Sequence, residues 1–220
     1  VEIQELQKRD NLSEKAYIAI KEMILSGKLK QGEAISINSM TEILGISRTP
    51  ITNACQKLEF EKFLTIVPKQ GVIVNSITID DARELYELRA AIESYSAKRA
   101  FDNIKQSDIE ILKKSLEIQK KYVESGNVYE FMKEDTNFHK FLLSKYNNTQ
   151  FFSVINTLYD RSFMASLKSG EKSKRLYNNL KEHENIIEAL EKKNKHAFVE
   201  AIEINILNGF INLTGNYQFK

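Results

Sequence analysis

The sequence predicts a mostly α-helical protein in two parts: a small N-terminal domain containing one β-hairpin, then a longer all-α helical bundle. Three observations carry that prediction. Residues 35–50 read as two short helices meeting at Gly45, two β-branched runs flank Pro68-Lys69-Gln70-Gly71, and beyond Asn75 no stretch has strand character. Both prolines, Pro50 and Pro68, fall in the first part. The remainder is free of the residue that breaks helices by removing an amide donor and clashing with the preceding turn.

The first helix is expected over about residues 13–26, where Ala16, Ile20, Met23 and Ile24 recur at helical spacing and Gly27 ends the pattern. A second pattern stops at Gly45. Ile46 then faces inward, and Ser47 or Thr49 caps a new helix running to about Phe60. Pro50 is tolerated in its first turn, because the amide it lacks would have no intrahelical partner there. This is helix-turn-helix grammar, and it puts Arg48 at the helix end that enters the major groove of DNA in such motifs. Residues 63–67 and 72–75 form the expected hairpin, a wing. Residues 1–76 are therefore read as a winged helix-turn-helix DNA-binding domain.

Residues 12–75 carry Ile24, Gly27 and Gly32, then Gly45-Ile46-Ser47-Arg48-Thr49-Pro50-Ile51, Leu58-Glu59 and Pro68-Lys69-Gln70-Gly71-Val72. In this they resemble the DNA-binding domain of the GntR family of bacterial transcription regulators. The resemblance implies double-stranded operator DNA as partner, met by Ser47, Arg48, Thr49, Thr52 and Asn53 of the second helix and by Lys69, Gln70 and Gly71 of the wing. Thr52 and Asn53 stand where the family usually has arginine and glutamate, and Asn38 where it often has a basic residue, so Arg48 is the one usual arginine contact that remains.

Composition sets outer limits. The chain has 220 residues and a formal net charge of +2, and no apolar run approaches the length of a membrane span. Glu2, Glu5, Lys8, Arg9 and Asp10 leave no apolar core for a secretory signal near the first residues. A single cysteine, Cys55, excludes an intramolecular disulfide, so a reducing, cytoplasmic setting is expected. Cys55 precedes Leu58 by one turn on the inner face of its helix, where a structural thiol is the expectation. Lys8, Arg9, Lys15, Arg48, Lys57, Lys62 and Lys69 lie in segments that can approach phosphates, although scattered charge is also what an ordinary solvated surface looks like.

Residues 77–220 are read as an all-α effector-binding and dimerisation domain. Helices are expected over about 80–101, 107–124, 128–145, 150–169, 173–192 and 195–216. Ser107 with Glu110 makes a capping box, Gly126 a stop, and Asn147-Asn148-Thr149 and Ser169-Gly170 are breaks.

Polar residues on inward stripes carry the chemistry. Phe131, Asp135, Phe138, His139 and Leu142 share one helical face, so Asp135 and His139 point to the core. A carboxylate there survives only if paired, hydrogen-bonded or bound to a metal. His183 precedes Ile186, Ile187 and Leu190, and Asn205 lies among Phe198, Ala201, Ile202 and Gly209. Converging, Asp135, His139, His183 and Asn205 can hold a divalent metal, or form a hydrogen-bonded network without one. His196 reads as a surface residue. Arg161 falls on the stripe of Val154, Leu158 and Ala165, Arg89 borders that of Leu85, Leu88 and Ile92, and both need an anionic partner, either a ligand carboxylate or an internal acid such as Glu93.

Leu85, Arg89 and Glu93 in the first bundle helix, Asp135-x-x-x-His139, and His183-x-x-Ile186-x-x-Ala189-Leu190 before a final helix resemble the effector-binding FCD domain of the FadR subfamily. That resemblance implies a divalent transition metal such as zinc or nickel held by an aspartate and three histidines. Here Asn205 occupies the third histidine position. It also implies a small organic-acid effector, with Arg89, Glu93 and Arg161 as candidate contacts, and a homodimer reading a pseudo-palindromic operator. Two alternatives remain from the residues: a metal-free regulator sensing an acyl or other organic ligand, and a metal-dependent hydrolase with Glu182 or Glu184 as base. No His-Glu-x-x-His pair, phosphate-binding glycine loop or Gly-x-Ser-x-Gly elbow supports the hydrolase, and no catalytic residue is assigned.

Overall fold

Ser36 Oγ accepts the Ser39 amide at 3.0 Å, and Gly45 sits in the left-handed region at φ 64°. Helix α2, Ile37–Leu44, is thus closed at both ends. The computed structural model describes residues 2–169 and 173–214, and the chain divides into two units, Val1–Ile77 and Thr78–Lys220.

In the first unit α1, Glu2–Leu25, packs on α3, Arg48–Phe60. Helix α1 starts well before residue 13, because the preceding Glu, Gln, Leu and Lys residues are good helix formers and Ser13 simply continues the helix. Ser47 occupies the N-cap of α3 with extended backbone but makes no side-chain capping bond, and Thr49 lies inside the first turn. The expected cap is therefore one of backbone conformation alone. Ala16, Ile20 and Ile24 are buried in the core with Met40, Ile51, Cys55 and Leu58, whereas Met23 is only half-buried. Burial pushes the Cys55 thiol up to about 11, with Glu59 adding to the effect.

The wing consists of β2, Leu64–Val67, and β3, Gly71–Val74, in antiparallel register. A two-residue strand, β1 (Ala34–Ile35), pairs on the far side of β3 through Ala34↔Ile73 and Ile35↔Val72. Two residues carry no periodicity, so that strand was invisible to pattern reading. Gly71 is required at this junction: its φ is 115°, and a Cβ there would fall 2.4 Å from Ile35 O.

The second unit contains α4 (Ile79–Ala100), α5 (Gln106–Glu124), α6 (Val128–Ser144), α7 (Thr149–Ser169), α8 (Ser173–Glu191) and α9 (Lys195–Thr214). Thr78 and Asp81 cap α4 reciprocally, each side chain meeting the other's backbone amide at 3.0 Å. The capping box expected of Ser107 and Glu110 is displaced: Asp108 Oδ2 accepts the Lys105 amide at 2.9 Å, and Ser107 sits in the first turn. Extended backbone at Lys105 puts Asp108, not Glu110, three residues along, within reach of that amide. Gly126 follows α5 at φ 68°, and Asn148 Oδ1 accepts the Gln150 and Phe151 amides at 3.1 and 3.2 Å to start α7. Of the expected Ser169-Gly170 break, Gly170 lies outside the described residues.

Helix α4 packs against α6, α7 and α9, and α8 against α5 and α9. At Gly209 a Cβ would meet the Tyr86 ring at 2.7 Å, so the missing side chain is what lets α9 approach α4 closely. Among the described residues no helix is long and apolar enough to cross a membrane.

Candidate functional site

In the first unit Arg48 is exposed at the start of α3, and its Nη1 donates to Asn38 Oδ1 on α2 at 3.2 Å. Thr49 and Asn53 are also exposed, while Thr52 Oγ1 donates to the Arg48 carbonyl at 3.0 Å. Lys69, with φ 66°, and Gln70 form the exposed tip of the wing before Gly71. Lys57 is less available to a phosphate: it pairs with Glu14 at 2.9 Å and lies 3.7 Å from the centre of the Tyr17 ring.

In the second unit helices α4, α6, α7, α8 and α9 line a cavity with about 40 Å³ of free space, its walls including Arg89, Asp135, His139, Tyr159, Arg175 and Asn205. Asp135 and His139 project together from α6 at helical i,i+4 spacing. His183, fully buried, comes from α8. One ligand atom each of Asp135, His139 and His183 lies within 4.8 Å of the others.

Each histidine is held by a different partner. His183 Nδ1 is 2.8 Å from Gln119 Oε1. An amide oxygen only accepts, so Nδ1 carries the proton. Nε2 is left with its lone pair, buried without a hydrogen-bond partner and 3.4 Å from Asp135 Oδ1. Burial, with some repulsion from His139, holds the His183 imidazole down to about 3, so it is neutral. It stacks on Phe138 with ring centres 4.1 Å apart.

His139 Nδ1 instead lies 2.7 Å from Glu93 Oε2, and Glu93 Oε1 accepts Arg89 Nε at 3.0 Å. Burial alone would raise Glu93, but the Arg89 guanidinium and His139 outweigh it and hold the carboxyl at about 2. Burial likewise works against the His139 cation, and Glu93 more than restores it. Arg89 and Glu93 therefore form a buried ion pair, to which Glu93 ties His139 Nδ1.

Asn205 faces a separate partner. Its Nδ2 donates to Glu182 Oε2 at 2.9 Å, and Asn208 Nδ2 donates to Glu182 Oε1 at 2.7 Å. Burial raises Glu182, against those hydrogen bonds. The amide nitrogen being engaged, Asn205 has only Oδ1 to offer an ion or ligand.

Arg161 is not brought to this cavity. It lies on α7 near the acidic start of α4, where burial lowers it and Asp81 and Glu84 counteract. Arg175 lines the cavity instead. Sequence reading also missed Gln119 and Asn179, and had Glu182 only as a possible base of a hydrolase, not as the partner of Asn205. Gln119 had a signal, since it lies on the inward stripe of Leu112, Leu116 and Val123. His196 is 91 % exposed at its side chain, as a surface residue should be.

The FCD domain profile matches residues 84–207, and the profile for bacterial regulatory proteins of the gntR family matches residues 12–74. The chain is 28% identical over 182 residues to an uncharacterized HTH-type transcriptional regulator, YdhC, of Bacillus subtilis, covering 82% of this chain and 81% of that one. It is 25% identical over 190 residues to the gluconate operon transcriptional repressor of Bacillus licheniformis, covering 83% of this chain and 76% of the repressor. Among solved structures, E. coli McbR/YncC superposes with a TM-score of 0.82 at 20% identity over 94% of this chain and 99% of that one. At that identity the likeness is one of fold. The matched families and relatives are transcription regulators rather than enzymes, so the hydrolase reading is set aside.

Proposed function

The chain belongs to the GntR family of bacterial transcription regulators and carries an FCD domain, and we propose that it is a ligand-responsive member of the FadR subfamily. On this reading two copies form a homodimer that binds a pseudo-palindromic operator through Ser47, Arg48, Thr49, Thr52 and Asn53, with Lys69, Gln70 and Gly71 of each wing on the adjacent backbone. One recognition helix reads only a few base pairs, so two copies supply the affinity and specificity that an operator requires.

The observation that carries the sensing role is His183. Its Nε2 is buried, unpartnered and aligned with Asp135 and His139, while Gln119 fixes the tautomer that keeps that lone pair free. A polar atom left in this condition is costly unless a ligand takes it up, and a histidine whose other nitrogen donates to an amide or carboxylate is how proteins prepare a metal ligand. Asp135, His139 and His183 would hold a divalent metal such as zinc or nickel, with Asn205 Oδ1 as a further oxygen donor. When bound, such an ion offers a Lewis-acidic docking point for a small carboxylate. Arg89 lines the same cavity, its charge met by Glu93.

The test is reciprocity. If the effector changes operator affinity tenfold, operator DNA must change effector affinity by the same factor, about 1.4 kcal/mol either way. Equal effector affinity with and without operator would show that the second unit does not control the first. Asn205 in place of a histidine favours a second reading, a metal-free sensor. Elemental analysis after zinc or nickel loading, with the melting temperature measured before and after chelation, separates the two. Asn205→His should tighten metal binding if the first reading holds, because imidazole is the better donor for these ions.

A further inference from the structure

Gln119 settles the His183 tautomer only if something settles Gln119, since the same amide turned by half a rotation would face the imidazole with its nitrogen. The turned amide would donate to His183 Nδ1 and move the single imidazole proton to Nε2. It would thus aim an N–H at Asp135 Oδ1, 3.4 Å away. That arrangement leaves no lone pair for a metal.

The residues behind Gln119 oppose it. Ser115, one turn earlier on α5, is buried, and its Oγ lies 2.5 Å from Glu134 Oε1 on α6. A carboxylate can only accept, so at this separation the Ser115 proton lies between the two oxygens. Toward Gln119, Ser115 then has only a lone pair to offer, and Gln119 Nε2 donates to it at 3.4 Å. The turned amide would set its oxygen against that lone pair in a buried place, acceptor against acceptor. Glu134 is held in turn by Asn137 Nδ2, which donates to its Oε2 at 3.3 Å. Every link has one direction, and the Gln119 oxygen is left to His183 Nδ1 at 2.8 Å. We propose that Ser115 and Glu134 are positioning residues, a one-way relay that acts through Gln119 and keeps His183 Nε2 free to take a metal. The role toward the metal rests on the reading of Asp135, His139 and His183 as a metal site; the role in fixing the tautomer does not.

Long-range proton–nitrogen correlation NMR of the metal-free full chain, isotopically labelled at histidine, reads the tautomer directly, with His183→Asn assigning the signal among the three histidines. At neutral pH the parent should carry its proton on Nδ1. Ser115→Ala and Glu134→Ala should move part of the population to the Nε2–H form, and Ser115→Thr, which keeps the hydroxyl, should not. Zinc titration of the same proteins should show affinity falling about tenfold in the two alanine variants, the low end of the usual effect of groups behind a ligand histidine. A proton on Nε2 in the parent, or alanine variants that keep the parent tautomer, overturns the relay. Zinc binding by none of the proteins, with the tautomer shifting as expected, overturns the metal reading and leaves the relay standing. The parent spectrum puts the proposal at risk even if a variant fails to fold.

Discussion

His183 Nδ1 and Gln119 Oε1, 64 positions apart in the chain, lie 2.8 Å apart in the interior of the second unit. Gln119 is fully buried, so its amide has been taken from water to hold one imidazole tautomer. Gln119→Leu should lower metal affinity about 10–100-fold, the usual effect of losing the group behind a ligand histidine. It should also cost about 1–3 kcal/mol of stability, for the donor left unpaired. Metal retention during dialysis and denaturant unfolding measure the two. Unchanged metal affinity would mean that Gln119 serves packing alone.

Arg89 and Glu93 are both buried, and their pairing is electrostatic in a place where charge is expensive. Glu93→Gln keeps the shape and removes the charge, leaving the Arg89 cation uncompensated. A loss of about 3–5 kcal/mol in unfolding free energy is expected. The double variant Arg89→Met with Glu93→Leu should recover much of that loss. A single-variant stability within about 0.5 kcal/mol of the parent would contradict the pair's role.

Arg48 is exposed, and among the described residues its guanidinium donates to Asn38, a surface contact it can exchange for a base. Arg48→Ala should weaken operator binding by about 1–3 kcal/mol, concentrated at one base position in each half-site. A uniform loss with a smaller salt slope would make it a phosphate contact instead. Unchanged binding would remove it from the interface.

Gly71 has the backbone of β1 where its side chain would go. Gly71→Ala should destabilise the first unit by about 1–3 kcal/mol through strain at positive φ and contact with Ile35 O, and should weaken operator binding with it. Thermal unfolding of the full chain and gel-shift titration read both effects. A variant melting like the parent would show that β1 yields at no cost.

Asp108 accepts from Lys145 Nζ at 2.8 Å and from the Lys105 amide, and these hydrogen bonds lower its carboxyl below the ordinary value of 3.8. A depressed acid contributes stability that is present above its unfolded value and is lost as pH falls through its folded one. The stability difference between the parent and Asp108→Asn should thus be constant near neutral pH and shrink below about pH 4. Denaturant midpoints measured from pH 7 to pH 3 check this; a difference that grows on acidification contradicts it.

What could be read along the chain was what local chemistry decides. Helix α6 and the inward placement of His139 followed from 3.6-residue periodicity, as did the burial of His183 and Asn205; Gly126 ends a helix by its backbone preference, and Asn148 starts one with its side-chain oxygen. Arg89 and Glu93 were legible as neighbours for the same reason, being one turn apart. Asp108 shows the limit of such reading, since the cap is set by extended backbone at Lys105, which that residue type does not announce.

Apolar spacing along single helices was enough to give the two-part helical architecture and to turn His139, His183 and Asn205 inward, because it orients a helix's face. Their partners came from packing between helices. Gln119 for His183, Asn179 for Asp135, Glu182 for Asn205, and Arg175 rather than Arg161 on the cavity wall are all meetings between helices. So is the pairing of Ala34–Ile35 with β3. Such meetings depend on the rotation and offset at which one helix or strand packs on another, and a pattern within a single segment does not encode them.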